Sequence, residues 1–397
     1  MQVGYAQTVI TPALDRPVYL AGFGQNRRAE TVHDDLYVRA LALEAGGTCL
    51  VAAALDLIGL GRLHCREIER CVQAQAPEAR LWLCSTHTHH GPDTIGLWGP
   101  DMATSGVDTQ YLAGLKDRVV ATGLAALDRL QPAHLRCTSL PVTGLAKNAR
   151  DPEILDEELT CLQFCPPETA QPLATWLIYP CHAEVLWEHN PHITADYPYA
   201  LRRTVEAETG APCLFAAGAI GGMMTPDVDD HSFEEAEEMG RALAQAAVGA
   251  LRGVAAVPVD HLEYARHEFT IPMTNPLFQM AIGAGLLPGL LDGAGAIATE
   301  ASLLRLGPAW LFGVPGELLP KLGLVFKAEL SQAGAGFAAI TGLTNDELGY
   351  ILPQEDFVYP DNPFEPGSHY EETMSVGPEA GPRLAAALRA LIQKRAV

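Results

Sequence analysis

Apolar positions along the chain follow two rhythms that take turns. Residues 37–43 and 49–57 are short apolar runs and read as two strands of a hairpin joined at Gly46-Gly47. Residues 62–76 place Leu63, Ile68 and Val72 on one helical face, and residues 111–130 predict a second amphipathic helix. Between them, residues 80–84 form a short apolar strand that stops directly before a cluster of histidines. The alternation continues with strands over 159–164 and 174–179, a helix over 198–209, and a strand over 213–217 that runs into Gly218-Ala219-Ile220-Gly221-Gly222. A helix over 232–253 opens on a capping box of Ser232 and Glu235. The last third predicts strands near 267–271, 301–306, 309–314 and 337–341, a helix after Glu317, and a C-terminal helix over 382–395. Strands alternating with helices predict an α/β fold with a mixed β-sheet core layered with helices. The whole length, 1–397, reads as one large unit.

One stretch breaks the pattern. Residues 271–291 carry no charge and are rich in Leu, Gly and Ala. Pro272, Pro276, Pro288 and the glycines between 283 and 295 argue against a membrane-spanning helix, so no stable membrane insertion is expected. The segment 271–295 reads as a buried apolar insertion, or as a lid, or as a contact in a homo-oligomer.

Charge narrows the partners. The formal net charge is −22, with only five lysines in the chain. Such a surface repels nucleic acid and anionic membranes. The nine cysteines are an odd number, lack a C-x-x-C pair and lie mostly in apolar runs. This suggests reduced thiols and a cytoplasmic protein. The first residues have neither the basic nor the apolar region of a signal peptide.

The candidate chemistry gathers at strand ends. In Ser85-Thr86-His87-Thr88-His89-His90-Gly91-Pro92, an extended backbone would turn His87 and His89 to the same side. Two such imidazoles suit a metal site, or a ligand beside a proton-transfer group; the alternative is a polar loop with incidental histidines. His182 follows the strand over 174–179 and is a further candidate ligand, while His189 and His192 read as loop residues. On local grounds Glu317 reads as an acid at a helix start. Asp56, and Asp34 and Asp35 beside His33, are ligand, supporting or turn acids, and Asp196 reads as an N-cap. The chain contains no G-x-S-x-G elbow, phosphate loop or H-E-x-x-H, and Gly22-Phe23-Gly24 lacks the third glycine of a dinucleotide site.

The order of the segments adds to this. Gly4-x-Ala6-x-x-x-Ile10-Thr11-Pro12, Ala21-Gly22-Phe23-Gly24-Gln25, His33-Asp34-x-Leu36-x-x-Arg39-Ala40, Leu55-Asp56-Leu57 and Thr86-His87-Thr88-His89-x-Gly91-Pro92 come first. Asn148-x-Arg150, His182, Ala195-Asp196-Tyr197-Pro198, Pro315-Gly316-Glu317, and Gly342-Leu343-Thr344-Asn345 with Tyr350 follow. The series resembles the neutral/alkaline (non-lysosomal) ceramidase family over essentially the whole chain. That resemblance implies one zinc held by His87, His182, Glu317 and Tyr350, with His89 as a second active-site histidine. Three features depart from the family pattern. His90 stands where the family has serine. Gly222-Met223-Met224-Thr225-Pro226 stands where the family has G-D/N-x-S-P. The family's C-terminal immunoglobulin-like domain has no counterpart.

The expectation is therefore a zinc-dependent hydrolase that cleaves a C–N amide bond with metal-activated water. His89 is the candidate for proton transfer, with His90 or His33 behind it. Backbone N–H groups at Gly221 and Gly222, with Thr225, are candidates for stabilising the oxyanion, and Asn148 and Arg150 for orienting a small-molecule amide or ester. An esterase or lactonase at the same zinc, and a metal-binding protein without catalysis, are the alternatives.

Overall fold

A computed structural model describes residues 1–169, 171–291 and 295–394. Residues 292–294 of the expected insertion and Arg395 of the expected last helix lie outside these. Most strands and helices fall within a few residues of their expected places, and the fold is mixed α/β.

The same unit is built three times. In the first, Gln2–Val9, Tyr37–Ala45 and Thr48–Leu55 pair antiparallel in sequence, and the chain then crosses through helix Arg62–Gln73 to lay Ala79–Ser85 parallel to Thr48–Leu55. In the second, His134–Pro141, Glu158–Cys165 and Ala174–Tyr179 are antiparallel, and helix Tyr197–Thr209 leads to the parallel strand Cys213–Ala217. The third repeats the plan with Leu262–Pro272, Ala296–Leu306 and Ala309–Gly313, then helix Pro320–Gln332 and the parallel strand Phe337–Thr341. A second helix closes each unit: Thr109–Leu127, Phe233–Leu251 and Ala380–Gln393.

The period-2 alternation of a strand explains how three sheets share one core. Leu50, Ala52 and Ala54 face a common cluster, while Val51, Ala53 and Leu55 face the helices of their own unit. Trp176 and Ile178 face the same common cluster, and Leu177 and Tyr179 turn outward. Leu304 and Leu311 repeat the pattern against Leu303 and Phe312. Three sheets therefore close around one apolar axis that holds Trp82 and Trp176, each fully buried. Loss of either ring to alanine costs about 3–5 kcal/mol.

Two long strands were not expected. Gln2–Val9 and His134–Pro141 mix polar and small residues and show no clean alternation. Gly4 in the first is required by close approach: a Cβ there would meet the Ala126 carbonyl oxygen at 2.0 Å. Among the described residues no helix is long and apolar enough to cross a membrane.

Candidate metal centre

In α/β structures, ligand-binding loops follow the carboxyl ends of parallel strands. Here all three units deliver such loops to one place. Ala79–Ser85 leads into His87, Ala174–Tyr179 into His182, and Ala309–Gly313 into Glu317.

His87 has φ 62°, so the chain leaves its extended form at that residue. The two-residue alternation that would align His87 with His89 is thus broken, yet their rings meet with centroids 5.0 Å apart. His87 Nδ1–H donates to the Ile58 carbonyl at 2.6 Å, and His182 Nδ1–H donates to the Met224 carbonyl at 2.9 Å. Each ring is thereby held with Nε2 toward Glu317 Oε2, at 3.5 Å from His87 and 3.0 Å from His182. Glu317 is not the helix-start acid that local reasoning favoured. Helix Pro320–Gln332 has Leu319 as its N-cap, and Glu317 instead begins a short strand that pairs in register with Tyr350.

Among the described residues, His87, His89 and His182 form a buried group whose ligating atoms lie within 4.8 Å of one another. The donors fit a zinc ion: His87 and His182 are fixed by carbonyl acceptors on their far nitrogen, with the Glu317 carboxylate between them. The electrostatics agree. Burial works to raise the Glu317 pKa, but the His87 charge and the His182 hydrogen bond outweigh it and keep the acid low. Burial pulls His182 down, yet Glu184 and Glu317 raise it to about 9. A metal would take the place of that proton.

His89 differs from the other two. Neither of its ring nitrogens has an aligned hydrogen-bond partner, although Nδ1 is 3.1 Å from Glu184 Oε2. Burial, then the charges of His87 and His182, lower its pKa well below the usual histidine value. Gly22 lies flat against its ring with φ 78°, where a Cβ would come within 2.5 Å of Nδ1.

The centre opens into a cavity of about 670 Å³, counting its solvent-filled mouth. Its polar lining is His87, His89, Glu317, Glu347, Tyr350 and Tyr370. Phe23, Ile95, Leu97 and Trp98 supply one apolar wall, and Phe278, Leu287 and Leu290 of the uncharged insertion supply another. Tyr350 Oη lies 3.2 Å from Met223 Sδ, and burial followed by the charge of Glu317 pushes its pKa up.

Other expected residues sit elsewhere. His90 is fully buried behind the cavity, 3.5 Å from Asp196 Oδ2 and 3.3 Å from an Arg27 nitrogen. His33 is half-exposed, paired with Asp34 and stacked on Phe233. Neither lines the cavity. Gly221 is not free to bind an oxyanion, because its N–H donates to the Leu318 carbonyl. Gly222, at φ 69°, presents its carbonyl to the Arg150 N–H, and Thr225 pairs with Lys147 in a short ladder. Asn148 is committed to its own loop, accepting from Arg150 and Asp151 and donating to the Ile154 carbonyl. Arg150 grips Glu371 and Glu372 at 2.8–2.9 Å and so holds the segment carrying Tyr370 and Met374 against the cavity. Asp56, also a candidate, is bound by both nitrogens of Arg202 at 2.5 and 2.8 Å. Asp196 caps helix Tyr197–Thr209 as expected. Glu184, Glu347 and Tyr370 were not anticipated. The one available signal was that Glu184 stands two residues after His182.

No family model and no curated protein matches the chain. Solved structures do. One is the neutral ceramidase from Pseudomonas aeruginosa, with TM-score 0.76 and 17% identity over 98% of this chain and 73% of that one. A second, described as a ceramidase complexed with C2, gives TM-score 0.78 and 17% identity over 100% of this chain and 76% of that one. The chain shares their fold along essentially its whole length.

Proposed function

We propose that this protein is a zinc-dependent amidohydrolase that takes a small molecule with an N-acyl amide. The observation that carries the reading is the Glu317 carboxylate held between two imidazoles whose far nitrogens are already committed to backbone carbonyls. The amide preference rests on the names of the structural neighbours, both ceramidases.

His87, His182 and Glu317 would hold the zinc, with Tyr350 beside them. When bound, zinc lowers the pKa of a water and polarises a carbonyl oxygen. The protein supplies the rest. His89 keeps an uncharged ring on the cavity wall and is the residue placed to accept and return a proton. Tyr350 and Tyr370 present hydroxyl-bearing rings on the same wall. Phe278, Leu287 and Leu290 of the insertion line the cavity, and this supports reading the insertion as a lid that keeps bulk water from the reacting groups.

The test is metal analysis of the purified protein together with turnover of a panel of N-acyl amides, esters and lactones, before and after chelation. One zinc per chain and chelator-sensitive amide turnover are expected. Preference for esters or lactones would move the protein to the neighbouring class of zinc hydrolases. A metal-free protein, or turnover indifferent to chelator, would refute the reading.

A further inference from the structure

We propose that Glu184 is a positioning residue for His89, accepting a hydrogen bond from Nδ1–H of that ring and leaving Nε2 as its unprotonated nitrogen. The inference deepens the reading above and rests on His89 being the proton-transfer group.

The argument starts from unmet polar atoms. Glu184 is fully buried, and neither of its carboxyl oxygens has an aligned hydrogen-bond partner, the Thr225 hydroxyl being the one side-chain donor near enough to favour its charged form. Both nitrogens of His89 are buried and equally idle. Four such atoms in one place are uncommon in a folded protein, and each one left unpaired is costly. Among these four, Nδ1 of His89 and Oε2 of Glu184 lie within 3.1 Å. Their approach is off-axis, so a hydrogen bond requires the ring or the carboxyl group to turn. The backbone brings the two residues side by side: Thr88 bridges to Ala183, and the His89 N–H donates to the Ala183 carbonyl.

The other rings of the centre sharpen the inference. His87 and His182 use Nδ1 on backbone carbonyls, which fixes their tautomer with Nε2 inward. His89 has no such carbonyl. A carboxyl group in that place sets the same tautomer and steadies the ring, as carboxylates do behind many functional histidines. Glu184 is a poor metal ligand by comparison, since the group of described residues able to hold an ion is His87, His89 and His182, and Glu184 is not among them.

The experiment reads the histidine directly. Protein labelled with ¹⁵N-histidine is loaded with zinc, and the His89 signals are assigned by their loss in His89→Gln. The wild type should show His89 protonated at Nδ1. A spectrum with the proton at Nε2 overturns the proposal, whatever the substrate proves to be. Glu184→Gln should keep one zinc per chain and an unchanged melting temperature. It should also alter the His89 pattern and lower kcat on an N-acyl amide by about 10–100-fold with KM little changed. Glu184→Asp should recover part of that loss. Zinc lost with Glu184→Gln, or two metals per wild-type chain, would make Glu184 a ligand and overturn the proposal. If no amide is turned over, the amidohydrolase reading fails while the tautomer measurement still decides the pairing.

Discussion

Two groups of buried charge in this molecule use the same kinds of residue to opposite effect. In the first, Arg62 and Arg66 of the first unit and Arg266 of the third meet Glu69 and Glu300, and Arg202 meets Asp56. Every acid there faces a guanidinium, and the Arg202–Asp56 and Arg266–Glu69 pairs join elements more than a hundred residues apart. In the second, three histidines surround Glu317 and Glu184, and among the described residues no arginine is in ion-pair contact with either acid. Permanent cations fasten. Histidines, which can give up a proton, leave room for an ion. Matched charge thus marks the seams of the fold, and mismatched charge marks its working centre.

That contrast can be broken at several points. The largest effect is expected at the centre. Glu317→Gln or His87→Ala should bring zinc content near zero and cut amide turnover by a factor on the order of a thousand, since the metal's contribution is several kcal/mol. The metal-free melting temperature should hardly move. A variant that retains a full zinc equivalent would remove either residue from the ligand set. At the seam the pattern should reverse. Arg202→Met strands the Asp56 carboxylate and should cost about 3–5 kcal/mol in denaturant unfolding. The folded fraction should still bind zinc; failure to do so would mean the seam also shapes the centre.

Arg150 lies between these cases, being a seam residue that borders the cavity. Arg150→Ala should lower stability by about 2 kcal/mol and raise KM more than it lowers kcat, with zinc retained. A pure kcat effect would contradict its role as a tether. The smallest effect concerns Asp346, which accepts from the first N–H of helix Arg62–Gln73 and from Thr299. Burial raises its pKa to about 6 despite these bonds. In the unfolded chain it would titrate near about 3.9. The folded protein therefore holds this proton more tightly, and the contribution to stability appears as pH falls through 6 and is complete below about 4. Relative to Asp346→Asn, the wild type should gain roughly 1 kcal/mol between pH 7 and pH 5. Equal slopes for the two proteins would refute the assignment.

Much of this organisation was readable from the chain because it is local. His87 and His182 each follow a short apolar run and were candidates on that ground, whereas Glu317 read locally as a helix-start acid and was singled out only by the ordered motifs of the resemblance. The reading failed where position depends on distant chain. Glu184 lies between Ala183 and Val185 with nothing nearby to reveal that His89 would come to rest against it. Tyr370 and Glu347 arrive on long loops. Gly221 and Gly222 suggested anion binding by their composition, but Gly221 is required by packing: a Cβ there would lie 2.5 Å from the Glu317 carbonyl. The threefold repetition escaped notice because the first strands of two units are too polar to announce themselves.

The repetition has a consequence for how the protein matures. Each unit supplies one of the three proposed ligands, and His182 and Glu317 alone are 135 residues apart. With that ligand set no partial chain would assemble the centre, so tight zinc uptake would report that all three units have docked. An ion bound at a thousand times its dissociation constant adds about 4 kcal/mol to the finished fold and nothing to an unfinished one. The zinc would act in that respect as a late latch, and apo-protein emerging from synthesis should remain the more protease-sensitive form until it closes.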